Sequence, residues 1–207
     1  MWWAFFMAVS NVERLYVYYQ KLFLELDHVR IAEKLCLKCD DDYMYVPFFN
    51  NMFSINRRSA VINSLQCGND LLYREKLLIL HHMYFHKSDA ENSGNMVAFR
   101  NLRECADFEP AYQKMTIVPF ATYFNKKMEL LIQRVHDING QLNTYGDVSF
   151  TVNAFPRIPL QFIFWDGSDE FPANATILFD KNVAQFIHPE SIPVLANAGV
   201  NILMEKH

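Results

Sequence analysis

The chain has 207 residues, 51% of them hydrophobic and 20% charged, so it can bury a core and is not an intrinsically disordered protein. Its formal net charge of -4 leaves no excess of Lys and Arg for a phosphate backbone, and we expect no nucleic-acid binding. The longest apolar run, Met1 to Val9, is shorter than the roughly 20 residues of a membrane-spanning helix and lacks the basic region of a signal peptide. We therefore expect one cytoplasmic domain over residues 1–207, with an apolar N-terminal extension at residues 1–10 and no membrane span.

Helical and strand patterns alternate in the first part of the chain. Between Asn11 and Leu35 apolar residues recur at helical spacing, and Asp27 is a suitable N-cap, which predicts two helices. Three short runs rich in aromatic and β-branched residues follow between positions 43 and 65 and predict a β-meander. After Asp70, a natural N-cap, an apolar run without Gly or Pro predicts a helix that is buried on most sides.

The second part of the chain predicts one long helix, three strands and a closing helix. The helix covers residues 111–140 and contains Pro119, where we expect a break or kink. The strands, at 147–155, 159–165 and 175–179, are separated by turns too short for crossover connections, which favours an antiparallel arrangement. The predicted fold class is α+β: an antiparallel sheet, made of the N-terminal meander and the three C-terminal strands, packed with about four to five helices.

The densest group of carboxylates lies between the second and third of these strands, in "WDGSDEFPANATILFD". Asp166, Asp169 and Glu170 belong to an acidic loop, residues 166–170, and such side chains can bind a hard cation such as Ca²⁺ or Mg²⁺. The spacing does not match an EF-hand loop. The alternative is a solvated turn in which Asp166 and Gly167 reverse the chain and Asp169 caps neighbouring amides.

Two histidines and two cysteines form weaker candidate metal sites. His82 and His86 share one face of the predicted helix, but Met83 occupies the position where a zinc hydrolase of the H-E-x-x-H kind requires Glu. Cys36 and Cys39 form a single C-x-x-C, which supplies only two of the four ligands of a structural zinc or iron–sulfur site. We expect histidines that donate to carbonyl groups, and unmodified thiols. No dinucleotide-binding, Walker or nucleophile-elbow motif is present.

Several segments of the chain carry a family resemblance. The stretch "NAFPRIPLQFIFWDGSDEFPANATILFDKNVAQFIHPESIPVLANAG" and, upstream, "REKLLILHHMYF", "MVAFRNL", "PAYQKMTIVPF" and "YGDVSFTVNAFPRIPL" occur in the order of one family. Two earlier segments, "LDHVRIAEKL" and "YVPFFNNMFSI", are similar to its beginning. Over about residues 20–205 the chain resembles the domain of unknown function 3786 family of anaerobic bacteria and archaea.

This resemblance implies a recognisable unit without an established reaction. Some relatives carry an added cysteine-rich iron–sulfur segment, which implies an accessory role around corrinoid or one-carbon chemistry; these 207 residues contain no such segment. The family pattern does not call for Cys36, Cys39, His82 or His86. It does include positions that resemble a second set of residues: His81, Arg100, Arg157, Trp165, Asp169, Glu170, Phe171, Pro172 and Asp180.

Our first hypothesis is a non-enzymatic binding or accessory domain. Trp165 and Phe171 form an apolar wall, and the carboxylates of the acidic loop accept hydrogen bonds from a small ligand or from another protein. Arg157 or Arg100 supplies the counter-charge.

Two alternatives stay open at this point. One is a metal-assisted hydrolase that uses the acidic loop together with Asp180, with His81 as acid or base. The other is a structural docking module that binds through exposed aromatic residues near Met1 to Met7. The sequence identifies no cofactor.

Overall fold

The computed structural model describes residues 9–66 and 71–205 and has an α+β fold with two antiparallel sheets. The regular elements are α1 (Val9–Leu24), α2 (His28–Leu35), β1 (Lys38–Cys39), β2 (Tyr43–Phe48), β3 (Asn51–Asn56), β4 (Ile62–Ser64), α3 (Tyr73–Phe85), β5 (Met96–Ala98), α4 (Glu109–Tyr112), α5 (Val118–Phe124), α6 (Met128–Asp137), β6 (Gln141–Asn143), β7 (Val148–Phe155), β8 (Ile158–Trp165), β9 (Asn174–Asp180) and α7 (Ser191–Met204). The α+β prediction is confirmed, although the strands divide between two sheets. Among the described residues, no helix combines the length and the apolar character that crossing a membrane requires.

Of the helices in the first part of the chain, α2 begins at its predicted cap, whereas α3 begins later than predicted. Asp27 caps α2, since its side chain accepts a hydrogen bond from the backbone amide of Arg30 at 3.1 Å. At the start of α3 the N-cap is Leu72, whose backbone amide donates to the Glu75 carboxylate at 2.8 Å. Leu72, and not the predicted Asp70, is thus the N-cap of α3; Asp70 itself lies outside the described residues.

The first sheet is the predicted β-meander, with strand order β1-β2-β3-β4. A two-residue turn joins β2 to β3, and both of its residues have positive φ: 45° at Phe49 and 67° at Asn50. The Phe49 ring is buried, and the Phe49 amide donates to the carbonyl of Ala154 in β7 at 3.2 Å. An added Cβ at Gly199 of α7 would lie 2.8 Å from this ring, so the absence of a side chain there makes room for it.

The long predicted helix is interrupted at a different place from the one expected. Around Pro119 the chain remains helical, through α4, a turn of π-helix at Gln113–Ile117, and α5. A π-turn and a side-chain donor compensate for the missing proline amide, because Asn197 Nδ2 donates to the carbonyl of Met115 at 2.8 Å. The break lies instead between α5 and α6, where Lys126 has a φ of 60°. Of the break or kink predicted at Pro119, the break is absent, and the irregularity there is the π-turn that precedes the proline.

The second sheet has the order β5-β9-β8-β7-β6 and contains the three predicted C-terminal strands. Its buried face is aromatic: the rings of Phe150 and Phe162 stack at 4.7 Å, and Phe120 of α5 packs on Phe162 at 5.7 Å. Across the boundary with the first sheet, Phe48 contacts Phe155 at 5.1 Å.

Strand β8 sets the geometry of the candidate site. Trp165 ends this strand and pairs with Asn174 at the start of β9, so the acidic loop connects the two strands at this end of the sheet. Arg157 immediately precedes β8 in the turn from β7. At about 3.3 Å per residue, the two ends of β8 lie roughly 23 Å apart.

Candidate functional site

Asp166 anchors the acidic loop to the rest of the protein. Its Oδ1 accepts hydrogen bonds from the backbone amides of Lys126 at 2.7 Å and Gly167 at 3.0 Å, and its own amide donates to Asp147 Oδ2 at 2.7 Å. Lys126 Nζ lies 4.0 Å from Asp166 Oδ2 and donates to the carbonyl of Gly167. The loop is thus attached to the break between α5 and α6, and Lys126 provides the counter-charge.

The loop folds as a tight turn that is closed by serine. Ser168 Oγ accepts from the amides of Glu170 at 3.2 Å and Phe171 at 3.1 Å, and the Ser168 amide donates to the Phe171 carbonyl at 2.8 Å. An added Cβ at Gly167 would lie 2.6 Å from Asn125 Oδ1, which shows how closely the loop packs on the preceding segment. Asp166 and Ser168 cap the amides of the turn, whereas the solvated-turn alternative assigned this capping to Asp169.

Two carboxylates and two aromatic rings remain at the surface of this turn. Asp169 and Glu170 are exposed, and their side chains form no hydrogen bond or ion pair with the residues that the structure describes. Trp165 is 40% exposed and Phe171 is 69% exposed. These two aromatic residues, together with Asp166 and residues 172–174, line an open cavity of about 490 Å³, and Asp169 and Glu170 do not belong to its lining. The structure therefore brings together the aromatic residues and the acidic loop of our first hypothesis.

Asp180 and Arg157 lie at the opposite end of the sheet. The Asp180 side chain is 2% exposed and accepts from the amides of Ser93, Gly94 and Asn182 at 3.0, 2.9 and 2.8 Å. The Asp180 side chain therefore stabilises the backbone at residues 93–94 and 182. Arg157 Nη2 donates to the carbonyl of Ala90 at 3.3 Å, far from the carboxylates with which the sequence analysis paired it. Arg157 is therefore not the counter-charge of the acidic loop.

Arg100, the other predicted counter-charge, does not form an ion pair with the acidic loop either. Arg100 is exposed on a 3-10 helix at Phe99–Asn101, and within residues 9–66 and 71–205 it forms no ion pair.

His81 of α3 packs between α1 and α7 and not beside the acidic loop. Its Nδ1 lies 2.7 Å from Ser191 Oγ at the start of α7, and its ring contacts Tyr19 of α1 at 4.3 Å. Its Nε2 is buried without a partner in the described structure. Burial, together with a smaller contribution from nearby His188, lowers the pKa of His81 to about 4. The acid or base of the hydrolase hypothesis is thus not in contact with the loop.

His82 and His86 each donate to a backbone carbonyl. His82 is fully buried, stacks on Phe155 at 4.2 Å and donates from Nδ1 to the Phe186 carbonyl at 2.8 Å. Burial lowers its pKa to about 3. His86 donates from Nδ1 to the Met83 carbonyl at 2.9 Å. These bonds orient both rings, and neither residue belongs to a group that could hold a metal ion in the described part of the chain.

The three described cysteines differ in burial and belong to different elements. Cys36 is exposed after α2, Cys39 is partly buried in β1, and Cys105 is buried with Sγ 3.7 Å from the Pro189 carbonyl. Burial raises the pKa of the Cys105 thiol to about 12. Cys67 lies outside the described residues. In the described part of the chain, no three His, Cys, Asp or Glu side chains are arranged to hold a metal ion.

The residues that hold the loop in place were not predicted from the sequence. Asp147 and Lys126 contact the loop from distant parts of the chain, and no spacing rule connects them to it. Ser168 was recognisable in principle, because a serine hydroxyl commonly caps amides two and three residues later.

Comparison with known proteins identifies the family. No curated protein and no solved structure matches the chain. A family model with the description "Domain of unknown function (DUF3786)" matches residues 27–201, close to the range of the resemblance in the sequence. The acidic loop, Trp165 and Phe171 all lie within the matched range, and the chain belongs to the DUF3786 family.

Proposed function

We propose that this protein is a non-enzymatic binding domain that holds a positively charged, partly apolar segment of a partner protein against Trp165, Phe171 and the acidic loop. The observation that carries this proposal is the exposure of two large aromatic rings beside one open cavity of about 490 Å³. Exposed aromatic side chains that border a cavity are typical anchors of protein interfaces.

The rigidity of the turn supports a binding role. Asp166 and Ser168 satisfy the backbone amides of the loop, and Gly167 packs against Asn125, so the loop keeps its shape without a ligand. A preformed surface loses less conformational entropy on binding than a mobile one. The aromatic rings are therefore presented at little ordering cost.

The charge of the loop supports a basic partner. Asp169 and Glu170 are exposed and have no partner among the described residues, and the whole chain carries a net charge of -4. Such carboxylates accelerate association with a cationic segment and orient it, while the apolar contact contributes most of the affinity. The open form of the cavity suits a side chain of a polypeptide better than a fully enclosed small molecule.

No observation favours the two alternatives. The hydrolase hypothesis requires Asp180 and His81 beside the acidic loop, and both make their contacts elsewhere. The docking hypothesis concerns residues 1–7, which lie outside the described residues. The link to corrinoid or one-carbon chemistry stays a prediction from the family resemblance.

Peptide binding tests the proposed function. Three fluorescein-labelled peptides of equal length serve as probes: alternating Lys and Leu, alternating Glu and Leu, and alternating Lys and Ser. We expect the Lys–Leu peptide to bind best in fluorescence anisotropy. Phe171→Ala and Trp165→Ala should each weaken its binding about tenfold, roughly 1.4 kcal/mol.

Two further variants make the test specific. Asp169→Asn/Glu170→Gln should weaken binding mainly at low salt, because exposed charges are screened. Tyr18→Ala removes an exposed aromatic residue of α1 and should leave binding unchanged. Equal binding of the Lys–Leu and Glu–Leu peptides, or equal loss in the Tyr18 and Phe171 variants, would contradict the proposal.

A further inference from the structure

A second cavity lies at the other end of β8 from the acidic loop. It has a volume of about 220 Å³ and lies between the end of α2, the segment that follows α3, and the turn between β7 and β8. We propose that this cavity binds a small oxyanion, the phosphate or carboxylate group of a low-molecular-weight compound. This inference is independent of the partner-binding function, since it concerns different residues at the opposite end of the sheet.

In the lining of this cavity, most basic side chains are partly buried and the acidic side chains are exposed. The partly buried basic side chains are Lys34, His86 and Arg157, whereas the lining carboxylates are all exposed: Glu33, Asp89 and Glu91. Lys87, also basic, is exposed at the rim. None of these side chains forms an ion pair with another described residue. Cationic groups that are partly withdrawn from water and lack a carboxylate partner favour an anion as ligand.

Arg157 is held in a fixed orientation. Its Nε donates to Asn92 Oδ1 at 3.4 Å, its Nη2 donates to the Ala90 carbonyl at 3.3 Å, and its guanidinium carbon lies 5.3 Å from the centre of the Phe186 ring. Asn92 Nδ2 donates back to the Arg157 carbonyl at 3.0 Å. These contacts leave further guanidinium N–H groups for a ligand. A planar guanidinium in a fixed position is suited to paired hydrogen bonds with a carboxylate or phosphate.

Lys34 and His86 add two adaptable groups. Lys34 Nζ donates to the Ser88 carbonyl, and an ammonium group has two further donors. His86 uses Nδ1 as a donor to Met83, so in the neutral ring Nε2 carries no proton. Burial lowers the pKa of His86, the hydrogen bond to Met83 partly offsets this, and Lys34 lowers the pKa slightly more. An anion in the cavity has the opposite effect on the pKa of His86, so the titration of this ring reports whether an anion is bound.

The charged groups around His86 determine whether its pKa rises or falls when an anion binds. Lys34 disfavours protonation of His86, and the hydrogen bond to the Met83 carbonyl favours it. Lys87 and Arg157 add positive charge to the lining of the cavity, the three rim carboxylates add negative charge, and His82 on the same helix is uncharged near neutral pH. A bound anion adds negative charge inside the rim, so the pKa of His86 should rise when the cavity fills.

The size and the rim of the cavity restrict the ligand. A volume of about 220 Å³ corresponds to roughly seven water molecules, which admits inorganic phosphate or a short dicarboxylate. The exposed carboxylates at the rim repel long polyanions. The class of ligand is therefore a compound with one or two oxyanion groups and a short carbon skeleton.

Titration with inorganic phosphate and with succinate tests this inference, at ionic strength held constant with chloride. Binding is followed by calorimetry and by the NMR signals of the His86 ring. We expect at least one of the two anions to give a saturable shift and to raise the pKa of His86. Binding of phosphate alone would indicate a ligand with a phosphate group, and binding of succinate alone a ligand with carboxylate groups. Arg157→Met and Lys34→Met should each weaken binding at least tenfold, while Arg157→Lys should have an intermediate effect.

Arg100→Met is the matched control, since it removes one exposed arginine from another surface and should bind like the wild type. Because Arg157→Met also removes bonds to the loop around Asn92, thermal unfolding must show that each variant is folded. If Arg157→Met is unfolded, the Lys34→Met variant decides. Absence of a saturable shift for both anions overturns the inference, and so does an equal loss of binding in the Arg100 and Lys34 variants.

Discussion

The hydrogen bond between α7 and the π-turn provides a quantitative test of how the helices are held. Pro119 has no amide hydrogen to donate to the Met115 carbonyl four residues earlier. Asn197 Nδ2 donates to this carbonyl at 2.8 Å and lies 3.5 Å from Thr116 Oγ1. We expect Asn197→Ala to leave the partly buried carbonyl without its side-chain donor. A lost neutral hydrogen bond costs about 1 kcal/mol, and an unsatisfied buried carbonyl raises this to about 2 kcal/mol.

A double-mutant cycle with Pro119→Ala isolates the proposed compensation. Alanine restores an amide at position 119, so Asn197→Ala should be less costly in that background, by about 1 kcal/mol. The free energy of unfolding is measured by urea denaturation with circular dichroism. Asn201→Ala is the control: Asn201 Nδ2 donates to Asn197 Oδ1 at 3.2 Å, and its loss leaves the Met115 bond in place. Additive effects of the Pro119 and Asn197 substitutions, or a cost of Asn197→Ala below about 0.5 kcal/mol, would refute the reasoning.

Three other predictions concern the acidic loop, acid stability and thiol reactivity. Thermal-shift titrations with Ca²⁺, Mg²⁺, Zn²⁺, Fe²⁺ and a corrinoid should give the same small shifts for wild type and for Asp169→Asn/Glu170→Gln, because the loop lacks a third free ligand. Stability should fall as pH decreases from about 6.5 toward 4, since His81 and His82 have folded-state pKa values of about 4 and 3 and the unfolded chain binds their protons first. Each contributes up to about 1.4 kcal/mol per pH unit, measured by urea denaturation at several pH values. Iodoacetamide should not label Cys105 in the folded protein, by peptide mass spectrometry, because its thiol is buried and its pKa is raised to about 12.

Each of these predictions has a control and a contradicting outcome. A cation or corrinoid shift that the double variant abolishes would establish a ligand site in the loop. His136→Asn, at an exposed position of α6, should keep the acid dependence of the wild type, whereas His82→Phe should reduce it if the variant folds. Exposed Cys36 serves as the reactive reference for the thiol experiment, and labelling of Cys105 at the same rate would contradict its burial.

Local patterns in the sequence predicted most of the regular elements. The capping group of Asp27, the meander and the alternating strand at Val148–Phe155 all depend on neighbouring residues, and periodicity reveals such features. The short edge strands β5 and β6 carry too few residues for a periodic signal, and their pairing with longer strands defines them.

The features that local patterns did not predict depend on contacts between residues far apart in the sequence. Asp180 looked like part of the acidic group in the sequence, yet β9 carries it to the other end of the sheet, where backbone amides satisfy it. The helix at Pro119 persists because Asn197, far along the chain, replaces a donor. Charge partners such as Lys126 also depend on which loops the fold places side by side.

The buried turn at Phe49 has a consequence for how quickly the protein folds. Strands β2 and β3 are adjacent in the chain, so their hairpin can form within roughly microseconds. Phe49 then has to reach Ala154 and Gly199, and closing a loop of about 100 residues carries a large entropic cost before any contact is gained. Since non-local contacts slow folding, we expect the docking of this turn onto the second sheet to follow formation of the hairpin and to limit the overall rate.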